Sequence, residues 1–434
     1  MKRVLAVYSA ESRRGRRAVE RLTRRGEAVL DTKVLEKAGR IVDKVRRRGD
    51  RALLELARRL DGAEADSVAG LALRPRPEDA DRSRLPDGFP EALEQAIAAV
   101  ERFHRPQVRS GYRLEADGVE LVESIAPLRR VGVYVPGGRA SYPSTAVMTV
   151  VPAQVAGVRE IAVATPPGSY RGNAALRYTL ERLGVKEIWG LGGAHAVAAL
   201  AYGTGSIGRV DKIVGPGNAW VTAAKKLVAG DVAIDGIAGP SEVVIVADAG
   251  SDPGTVAADL LAQAEHDPLA AAVLITPDRD LAHAVAVETE RQLAELSTAA
   301  TAKASLQGFG AAFVVGSFDE ALALVERIAP EHLQLVGEEA EALARRVSAA
   351  GAVFLGASTP EVFGDYLAGP SHVLPTCGSA RFASALGVED FLRRSHQVRF
   401  TPEAAARQAG LAAVLAEVEG LPAHAAAALR RRAG

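Results

Sequence analysis

The sequence contains a single cysteine, Cys377, among 434 residues. One thiol cannot form a disulfide within the chain and cannot supply a thiolate metal site, so both are excluded. A cysteine-dependent aldehyde dehydrogenase is also disfavoured, because Cys377 stands between Thr376 and Gly378 with no basic neighbour that would lower its pKa. Any metal must therefore be bound through nitrogen and oxygen atoms.

An excess of charge of either sign is also absent, since 53 Lys and Arg balance 53 Asp and Glu. No overall field would attract nucleic acid or an anionic membrane. The basic residues that cluster between Arg13 and Arg25 are expected on a solvated helical face or arm. No run approaches the ~20 apolar residues of a membrane span, and the first residues lack the apolar core of a signal peptide. We expect a cytoplasmic protein with neither a nucleic-acid nor a membrane partner.

Hydrophobic residues make up 48 % of the chain, and 434 residues are too many for one ordinary core. From about residue 128, short apolar runs alternate with helical stretches in the βαβ pattern. One set of predicted strands comprises 130–136, 160–165, 187–191 and 210–214, and a second set comprises 242–247, 271–275, 311–315 and 352–355. Two α/β units in tandem are predicted, with helices at 402–418 and 422–432 and no strand beyond about 380.

Gln263 and His266 lie three residues apart at the end of a predicted helix over 253–266. This spacing places both side chains on one face, beside the apolar stripe that includes Leu260. A buried amide and a buried imidazole need polar partners. The two residues are either a hydrogen-bonded pair in the core or part of a ligand site.

Glu331 and His332 stand side by side between a predicted helix and a strand. His is the natural general base near neutral pH, and Glu can activate water. Successive residues of an extended segment point to opposite sides, so both reach one cleft only if the backbone turns there. A surface Glu-His pair is the alternative.

Two further pairs of polar residues come late in the chain. Asp365 and His372 follow the last predicted strand, and Glu419 and His424 lie in the C-terminal tail. A set of Gln, His, Asp and His would suit Zn²⁺, but no spacing rule connects these positions. From the residues alone, a metal site is one possibility.

Two glycine-rich turns, at 190–193 and 215–218, each follow a predicted strand and open a helix. Free N–H groups and the helix dipole at such a turn suit a phosphate. Neither turn is a full dinucleotide fingerprint, because His195 occupies the position of its third glycine. An ordinary tight turn is the alternative.

Several longer motifs, taken in order, resemble the histidinol dehydrogenase family from about residue 30 to the C-terminus. They are Val131–Gly138, Asp211–Asn218, Ala238–Glu242, Gln263–His266, Pro330–Leu333, Gly364–Tyr366 and His372–Pro375. The resemblance implies an α/β fold of two incomplete Rossmann-like parallel-sheet domains with small helical N- and C-terminal segments. It divides the chain into an arm (1–30), a zinc and catalytic domain (31–128 with 241–379), an NAD-binding domain (129–240) and a helical C-terminal segment (380–434) that is exchanged in a homodimer.

The resemblance implies oxidation of L-histidinol through L-histidinaldehyde to L-histidine, with two NAD⁺ consumed, as the final step of histidine biosynthesis. It implies one zinc ion per subunit, which holds the imidazole and amino groups of the substrate. Its site residues, carried over by motif, are the zinc ligands Gln263, His266, Asp365 and His424 (the last from the partner subunit), the base His332, the water-activating Glu331, the substrate contacts Ser241, His372 and Glu419, and the NAD⁺ contacts Tyr134, His195 and Asn218.

His195 departs from the pattern, because family members usually carry Gln at this position. Either His195 replaces one neutral hydrogen-bonding group with another, or its protonated form adds a charged contact to NAD⁺ at acidic pH. Two other functions compete with the main interpretation: a related zinc and NAD dehydrogenase of another amino alcohol or diol, and a catalytically silent zinc-binding regulatory protein. The presence of both Glu331 and His332 disfavours the silent protein.

Overall fold

Two parallel sheets form the framework of the chain in the computed structural model, which describes residues 3–26, 31–74, 82–137 and 142–432. The strands are β1 Val7–Ser9, β2 Arg113–Ala116, β3 Val119–Pro127, β4 Arg130–Tyr134, β5 Glu160–Thr165, β6 Glu187–Gly190, β7 Lys212–Val214, β8 Ala233–Ile234, β9 Glu242–Ala247, β10 Ala271–Thr276, β11 Ala311–Val314, β12 His332–Val336, β13 Ala352–Leu355 and β14 Leu392–Phe400. The helices are α1 Arg13–Thr23, α2 Thr32–Leu60, α3 Phe89–His104, α4 Pro143–Val155, α5 Pro167–Gly172, α6 Ala174–Arg182, α7 Gly193–Tyr202, α8 Ala219–Val228, α9 Pro253–Ala264, α10 Arg279–Leu293, α11 Ala299–Phe309, α12 Phe318–Ile328, α13 Glu338–Glu341, α14 Glu361–Tyr366, α15 Pro402–Val418 and α16 Pro422–Leu429.

The two parallel sheets have the same strand order when strands are counted along the chain. Sheet 1 has the order β6-β5-β4-β7-β8, and sheet 2 has the order β1-β11-β10-β9-β12-β13. In each, the first strand of the unit lies centrally, the second and third lie on one side, and the fourth and fifth lie on the other. This is the order of the dinucleotide-binding fold without its sixth strand. The prediction of two incomplete Rossmann-like domains is confirmed.

The strands form where short apolar runs can be covered on both faces. Every residue of β9 and β10 is buried, as a parallel sheet between two layers of helices requires. The helix that follows β9 starts as the sequence predicts, with Pro253 in its first turn and the Asp252 side chain accepting from the Thr255 N–H at 2.8 Å. The local sequence therefore determines the residue at which α9 begins, and this start places Gln263 in the last turn of the helix.

The helices of residues 31–104 pack on the helical layer of sheet 1. Helix α2 contacts α7 and α8, and α3 contacts α4. Val42 and Leu56 of α2 share a core with Leu200 and Val221. The division of the chain into domains stays a prediction. Apolar periodicity shows that a helix has a buried face, but it does not show which sheet covers that face.

Both terminal segments contain strands that were not predicted. β1 pairs in parallel with β11 at the edge of sheet 2, so the segment predicted as an arm contributes one strand to this sheet; residues 1–2 and 27–30 lie outside the described residues. β14 pairs antiparallel with β3, which also pairs with β2, and these three strands form sheet 3. The two predicted C-terminal helices are present as α15 and α16. Within the described ranges, no helix combines the length and apolarity needed to cross a membrane.

Candidate active site

Glu331 and His332 lie where the chain turns from α12 into β12. Ala329 adopts a left-handed conformation (φ 50°) at the end of α12, and His332 is the first residue of the strand. The turn brings Oε2 of Glu331 within 3.7 Å of Nδ1 of His332, and the two residues are only 5 % and 4 % exposed. The surface-pair alternative is therefore wrong, and the turned backbone needed for both side chains to meet is present.

The contact made by His332 determines which of its ring nitrogens carries the proton. Nδ1 lies 3.2 Å from the backbone carbonyl oxygen of Glu242. A carbonyl oxygen can only accept, so Nδ1 donates its proton there and Nε2 keeps a free lone pair. Burial lowers the pKa of His332 to about 4, so the ring is neutral at pH 7. His332 thus has the protonation state that a general base needs.

His266 has the hydrogen bonding expected of a metal ligand. Its Nδ1 lies 2.9 Å from the carbonyl oxygen of Ala262, one helical turn earlier, and its Nε2 lies 3.7 Å from Oδ2 of Asp365. In metal sites, the ligating imidazole usually donates its other N–H to a backbone carbonyl or carboxylate. Nε2 of His266 is left free beside a carboxylate.

Gln263 strengthens the argument for a ligand at this position. The side chain is fully buried, yet neither its amide oxygen nor its amide nitrogen has a hydrogen-bond partner in the described part of the chain. An orphaned buried amide is costly unless another group satisfies it. Helix α9, which carries Gln263, packs against α14, which carries Asp365. His266 thus lies beside Asp365, the helix of Gln263 contacts the helix of Asp365, and a donor set of Gln, His and Asp fits Zn²⁺.

Glu361 belongs to this cluster and was not predicted. It is 3 % exposed, its Oε1 lies 3.5 Å from Nδ1 of His332, and its Oε2 has no hydrogen-bond partner among the described residues. Donor atoms of His332, Glu361 and Asp365 lie within 4.8 Å of one another. Glu361 precedes Asp365 by four residues, so both face the same way from α14. That spacing was the signal in the sequence that could have identified it.

Burial and mutual repulsion shift the carboxyl groups of this cluster. Burial raises the pKa of Glu331 well above its usual value, and the neighbouring Glu242 raises it further. Burial, followed by the charge of Asp365, raises the pKa of Glu361 in the same way. Buried acids with raised pKa values are typical of active sites, where they serve as proton acceptors near neutral pH.

Gly364 explains how α14 approaches the sheet closely enough to deliver Asp365. A Cβ atom at this position would lie 2.5 Å from the Phe354 ring of β13. His372 approaches from the next loop, where its Nδ1 lies 3.1 Å from the Asp365 carbonyl oxygen and its Nε2 lies 3.4 Å from Oγ1 of Thr145 in α4. His372 therefore connects the cluster to the helical layer of sheet 1.

The remaining expected substrate residues divide into two groups. Ser241 is partly buried and directly precedes Glu242 at the start of β9. Glu419 and His424 are exposed and lie on the pair of helices α15 and α16, which pack on each other. The structure of one chain therefore does not bring Glu419 or His424 into the cluster.

The cluster lies at the amino ends of the sheet 2 strands, since Glu242 begins β9 and His332 begins β12. Open α/β sheets usually bind their ligands at the carboxyl ends of their strands, so sheet 2 departs from that rule. The C-terminal turn of α9 and the whole of α14 supply the other side chains, because a helix that follows a strand returns to the amino edge.

The expected NAD⁺ residues lie at the carboxyl edge of sheet 1, as that rule requires. Tyr134 is the last residue of β4, and its hydroxyl accepts from the Gly193 N–H at 3.0 Å. Asn218 is exposed and caps α8 by accepting from the Trp220 N–H at 3.0 Å. A cavity of about 500 Å³ lies at the same edge, lined by residues that follow β4 and β5 and by the end of α2. The residues that line this cavity are Leu60, Asp61, Gly137, Pro166, Pro167, Gly168, Ser169, Gly172 and Asn173.

His195 does not face this cavity as a free group. The side chain is buried, and its Nε2 lies 2.7 Å from Oδ2 of Asp61, which also accepts from the Gly192 N–H at 3.2 Å. Asp61 and Tyr134 thus accept from the Gly192 and Gly193 N–H groups, which the glycine-rich turn would otherwise offer to a phosphate. His195 supports the glycine turn through Asp61.

Cys377 is not a nucleophile in this arrangement. Burial raises the pKa of its thiol to about 12, with a further increase from Glu242 that outweighs the nearby Arg25. The thiol packs against Gly239, where a Cβ atom would lie 2.3 Å from the sulfur. The passive role predicted for Cys377 agrees with this geometry.

Comparison with known proteins agrees with the resemblance over almost the whole chain. A model of the histidinol dehydrogenase family matches residues 24–432. Histidinol dehydrogenase of Synechococcus sp. is 49 % identical over 89 % of this chain and 89 % of its own length, and that of Geobacter metallireducens is 49 % identical over 88 % of each. A crystal structure of histidinol dehydrogenase from Elizabethkingia anophelis superimposes with a TM-score of 0.87 at 30 % identity, covering 99 % of this chain and 98 % of that one. With its two like-ordered sheets and the cluster around Asp365, this chain belongs to the histidinol dehydrogenase family.

Proposed function

We propose that this protein oxidises L-histidinol to L-histidine through the aldehyde, with two NAD⁺ as hydride acceptors. The observation that carries the proposal is the pairing of Glu331 with His332, which are buried side by side with Oε2 of Glu331 3.7 Å from Nδ1 of His332. Two oxidations in sequence require two proton acceptors. One must take the proton of the alcohol, and the other must take the proton of the water that adds to the aldehyde.

Zinc would be held by Gln263, His266 and Asp365 of one subunit and by His424 of the partner subunit. The free Nε2 of His266, the unsatisfied amide and the adjacent carboxylate support this set. The ion would hold the imidazole and amino groups of the substrate and so fix its orientation. His372 and Ser241, which border the cluster, would contact the substrate, together with the partner subunit's Glu419.

In the first oxidation, His332 removes the hydroxyl proton as a hydride leaves the carbinol carbon for NAD⁺. Nε2 receives the proton, because Nδ1 is already protonated and bound to the Glu242 carbonyl. The positive ring that results keeps its hydrogen bond from Nδ1 to the Glu242 carbonyl oxygen, at 3.2 Å. The product is the aldehyde, and the proton is then released to solvent.

In the second oxidation, Glu331 removes a proton from water while the water oxygen bonds to the aldehyde carbon. Because Glu331 keeps the proton, the hydrate forms as its anion, which loses a hydride to a second NAD⁺ and becomes the carboxylic acid. A carboxyl group of raised pKa can take this proton near neutral pH, whereas an exposed carboxylate would be a weaker base. Water is the nucleophile because the only thiol is buried with a raised pKa.

NAD⁺ would bind at the carboxyl edge of sheet 1, in the cavity of about 500 Å³. Asn218 is the one expected contact whose side chain is exposed at this edge. Tyr134 and His195 would act mainly by fixing the glycine turn at the start of α7, through Gly193 and Asp61 respectively.

A homodimer with exchanged C-terminal segments would complete each site. Helix α15 exposes a row of large apolar side chains that one chain leaves uncovered, and β14 of sheet 3 adds more. These residues are Leu411, Val414, Leu415, Val418, Val398 and Phe400. Their position next to Glu419 and His424 supports delivery of both residues to a second subunit.

The decisive assay measures NADH formation with L-histidinol and separately with L-histidinaldehyde. Purified protein should reduce NAD⁺ with both, and a chelator should abolish the reaction with L-histidinol. Glu331→Gln should slow the aldehyde reaction by about 10²–10⁴-fold and the alcohol reaction much less, because only the aldehyde reaction needs activated water. Equal losses on the two substrates would contradict this division of roles.

A further inference from the structure

Arg25 is a charged residue buried in the interior, although its neighbours in sequence form a basic cluster expected on the surface. It is 2 % exposed, and its Nη1 donates to Oε2 of Glu242 at 2.7 Å. Its Nη2 donates to the backbone carbonyl oxygens of Pro240, Ser241 and Leu269 at 2.8, 3.1 and 3.1 Å. Burying a guanidinium is costly, so four acceptors gathered around its two terminal nitrogens indicate a specific role.

Glu242 connects this guanidinium to the proposed water-activating residue. The Glu331 N–H donates to Oε1 of Glu242 at 3.3 Å, and the Glu242 N–H donates to Oε2 of Glu331 at 3.0 Å. Each glutamate therefore holds the backbone of the other. The Cys377 N–H also donates to Oε1 of Glu242, at 2.8 Å. All the polar atoms of the Glu242 carboxylate are thus engaged in fixing neighbours.

The proposal follows from this chain of contacts and rests on the proposed role of Glu331. We infer that Arg25 and Glu242 are positioning residues for the oxidation of the aldehyde: Arg25 fixes Glu242, and Glu242 fixes the carboxylate of Glu331 toward the reacting water. The hydrogen bond from the Glu242 N–H engages Oε2 of Glu331, so Oε1 would be the oxygen that takes the proton from water.

The charges of the three residues favour the same conclusion. Glu242 and Glu331 are adjacent buried carboxyl groups that repel each other, and the Arg25 guanidinium supplies the opposite charge at 2.7 Å from Glu242. Removing the carboxylate of Glu242 leaves Arg25 facing a neutral group. The Glu242 side chain is then held less firmly, and so is the Glu331 N–H that donates to its Oε1.

The alcohol reaction is expected to depend much less on this network. His332 is held by the backbone carbonyl of Glu242 and not by its side chain. A side-chain replacement at Glu242 therefore leaves the tautomer of His332 intact. This difference separates a positioning role from a purely structural one, which would lower both reactions alike.

The test compares Glu242→Gln and Arg25→Lys with a matched control, Glu187→Gln, in the zinc-loaded full-length protein. Glu187 also pairs with a buried arginine, Arg130, at 2.6 Å, but at the amino ends of sheet 1. Glu242→Gln replaces one of the two acceptor oxygens with an amide N–H₂, which cannot accept from the guanidinium. Arg25→Lys replaces the planar guanidinium with a single ammonium, which cannot reach Glu242 and the three carbonyl oxygens together. Zinc content and circular dichroism establish that each variant is folded and loaded.

Each variant of the network should lose about 10²-fold in the rate of aldehyde oxidation, the cost of a reacting group displaced by about 1 Å. Alcohol oxidation should stay within about threefold of wild type, because the interactions of that transition state are unchanged. The control variant, Glu187→Gln, should change neither the rate of aldehyde oxidation nor the rate of alcohol oxidation. Folded variants that lose both activities equally, or neither, overturn the inference. Arg25→Lys keeps the positive charge beside Glu242 and supplies the answer if Glu242→Gln fails to fold.

The double variant Glu242→Gln/Glu331→Gln tests whether Glu242 acts through Glu331, separately from whether Glu331 activates water. If Glu242 acts only through Glu331, its replacement should cause no further loss once Glu331 is already Gln. Multiplicative losses contradict the inference. If Glu331→Gln alone slows both reactions equally, the proposed function of Glu331 fails instead, whatever the variants of Arg25 and Glu242 do.

Discussion

Replacing Glu361 with Gln should remove part of the pH dependence of stability in the zinc-free protein. Glu361 is buried with one oxygen unpartnered among the described residues, and its pKa is raised well above the ordinary value of 4.5 by burial and then by Asp365, Glu331 and Asp259. In the unfolded chain the carboxyl group returns to its ordinary pKa. Above that pH the unfolded protein therefore binds fewer protons than the folded protein does.

The sign and the size of the effect follow from this difference. Because unfolding releases a proton, the free energy of unfolding falls as the pH rises from 4.5 until the folded-state carboxyl also ionises. The slope for one such group is about 1.4 kcal/mol per pH unit. Glu331 has a raised pKa as well and contributes a second slope of the same sign. Glu361→Gln should therefore lose less stability per pH unit than wild type, by at most about 1.4 kcal/mol.

Urea unfolding of chelator-treated protein, followed by circular dichroism at pH 5.5, 6.5 and 7.5 (about one unit apart), measures this slope. Glu339→Gln is the matched control, because Glu339 is exposed in the first turn of α13. The control should follow the wild-type pH dependence. A Glu361→Gln protein with the same slope as wild type would refute the assignment of a buried, protonated Glu361.

Four further outcomes follow from the site. His266→Asn should lose tight zinc binding and most activity, measured by metal analysis, and a variant with one zinc per subunit and full turnover would remove His266 from the ligand set. Mixed subunits carrying His266→Asn and His424→Asn should regain activity after reassortment, since one site of the heterodimer is intact; inactive heterodimers would contradict the exchange. His195→Gln should change the NAD⁺ dissociation constant by the same factor from pH 6 to pH 9, because its imidazole contacts Asp61, whereas a ratio that rises toward pH 6 would indicate a charged contact with the cofactor. Leu415→Asp should dissociate the dimer in analytical ultracentrifugation and reduce activity, and a variant that stays dimeric would show that this face is not the interface.

Most of the fold could be predicted because the central strands are continuous apolar runs. The predicted bounds of β5, β9 and β13 agree with the structure residue for residue. β1 and β14 were missed for physical reasons. β1 is three residues long, and β14 is largely exposed and polar, so neither has an apolar pattern that differs from a loop.

The candidate site was predicted mainly through its motifs and not through geometry. Nothing in the spacing of Gln263, His266 and Asp365 shows that α9 and α14 meet, because that contact depends on the order of strands in sheet 2. Arg25 was misplaced for a related reason. Its neighbours are exposed arginines, and only the tertiary fold separates the one buried guanidinium from the others.

The pairing of β1 with β11 affects the order in which the protein can assemble during synthesis. About 300 residues separate Ser9 from Ala311, so at the usual ~5–20 residues per second the first strand waits ~15–60 s for its partner. Arg25 likewise cannot form its ion pair until Glu242 has been synthesised. Sheet 1 has all its strands between residues 130 and 234 and can pair while the ribosome is still translating sheet 2. The edge of sheet 2 and the network around Glu331 are therefore completed last, and a nascent chain stalled before residue 311 would carry a paired sheet 1 beside an unfinished sheet 2.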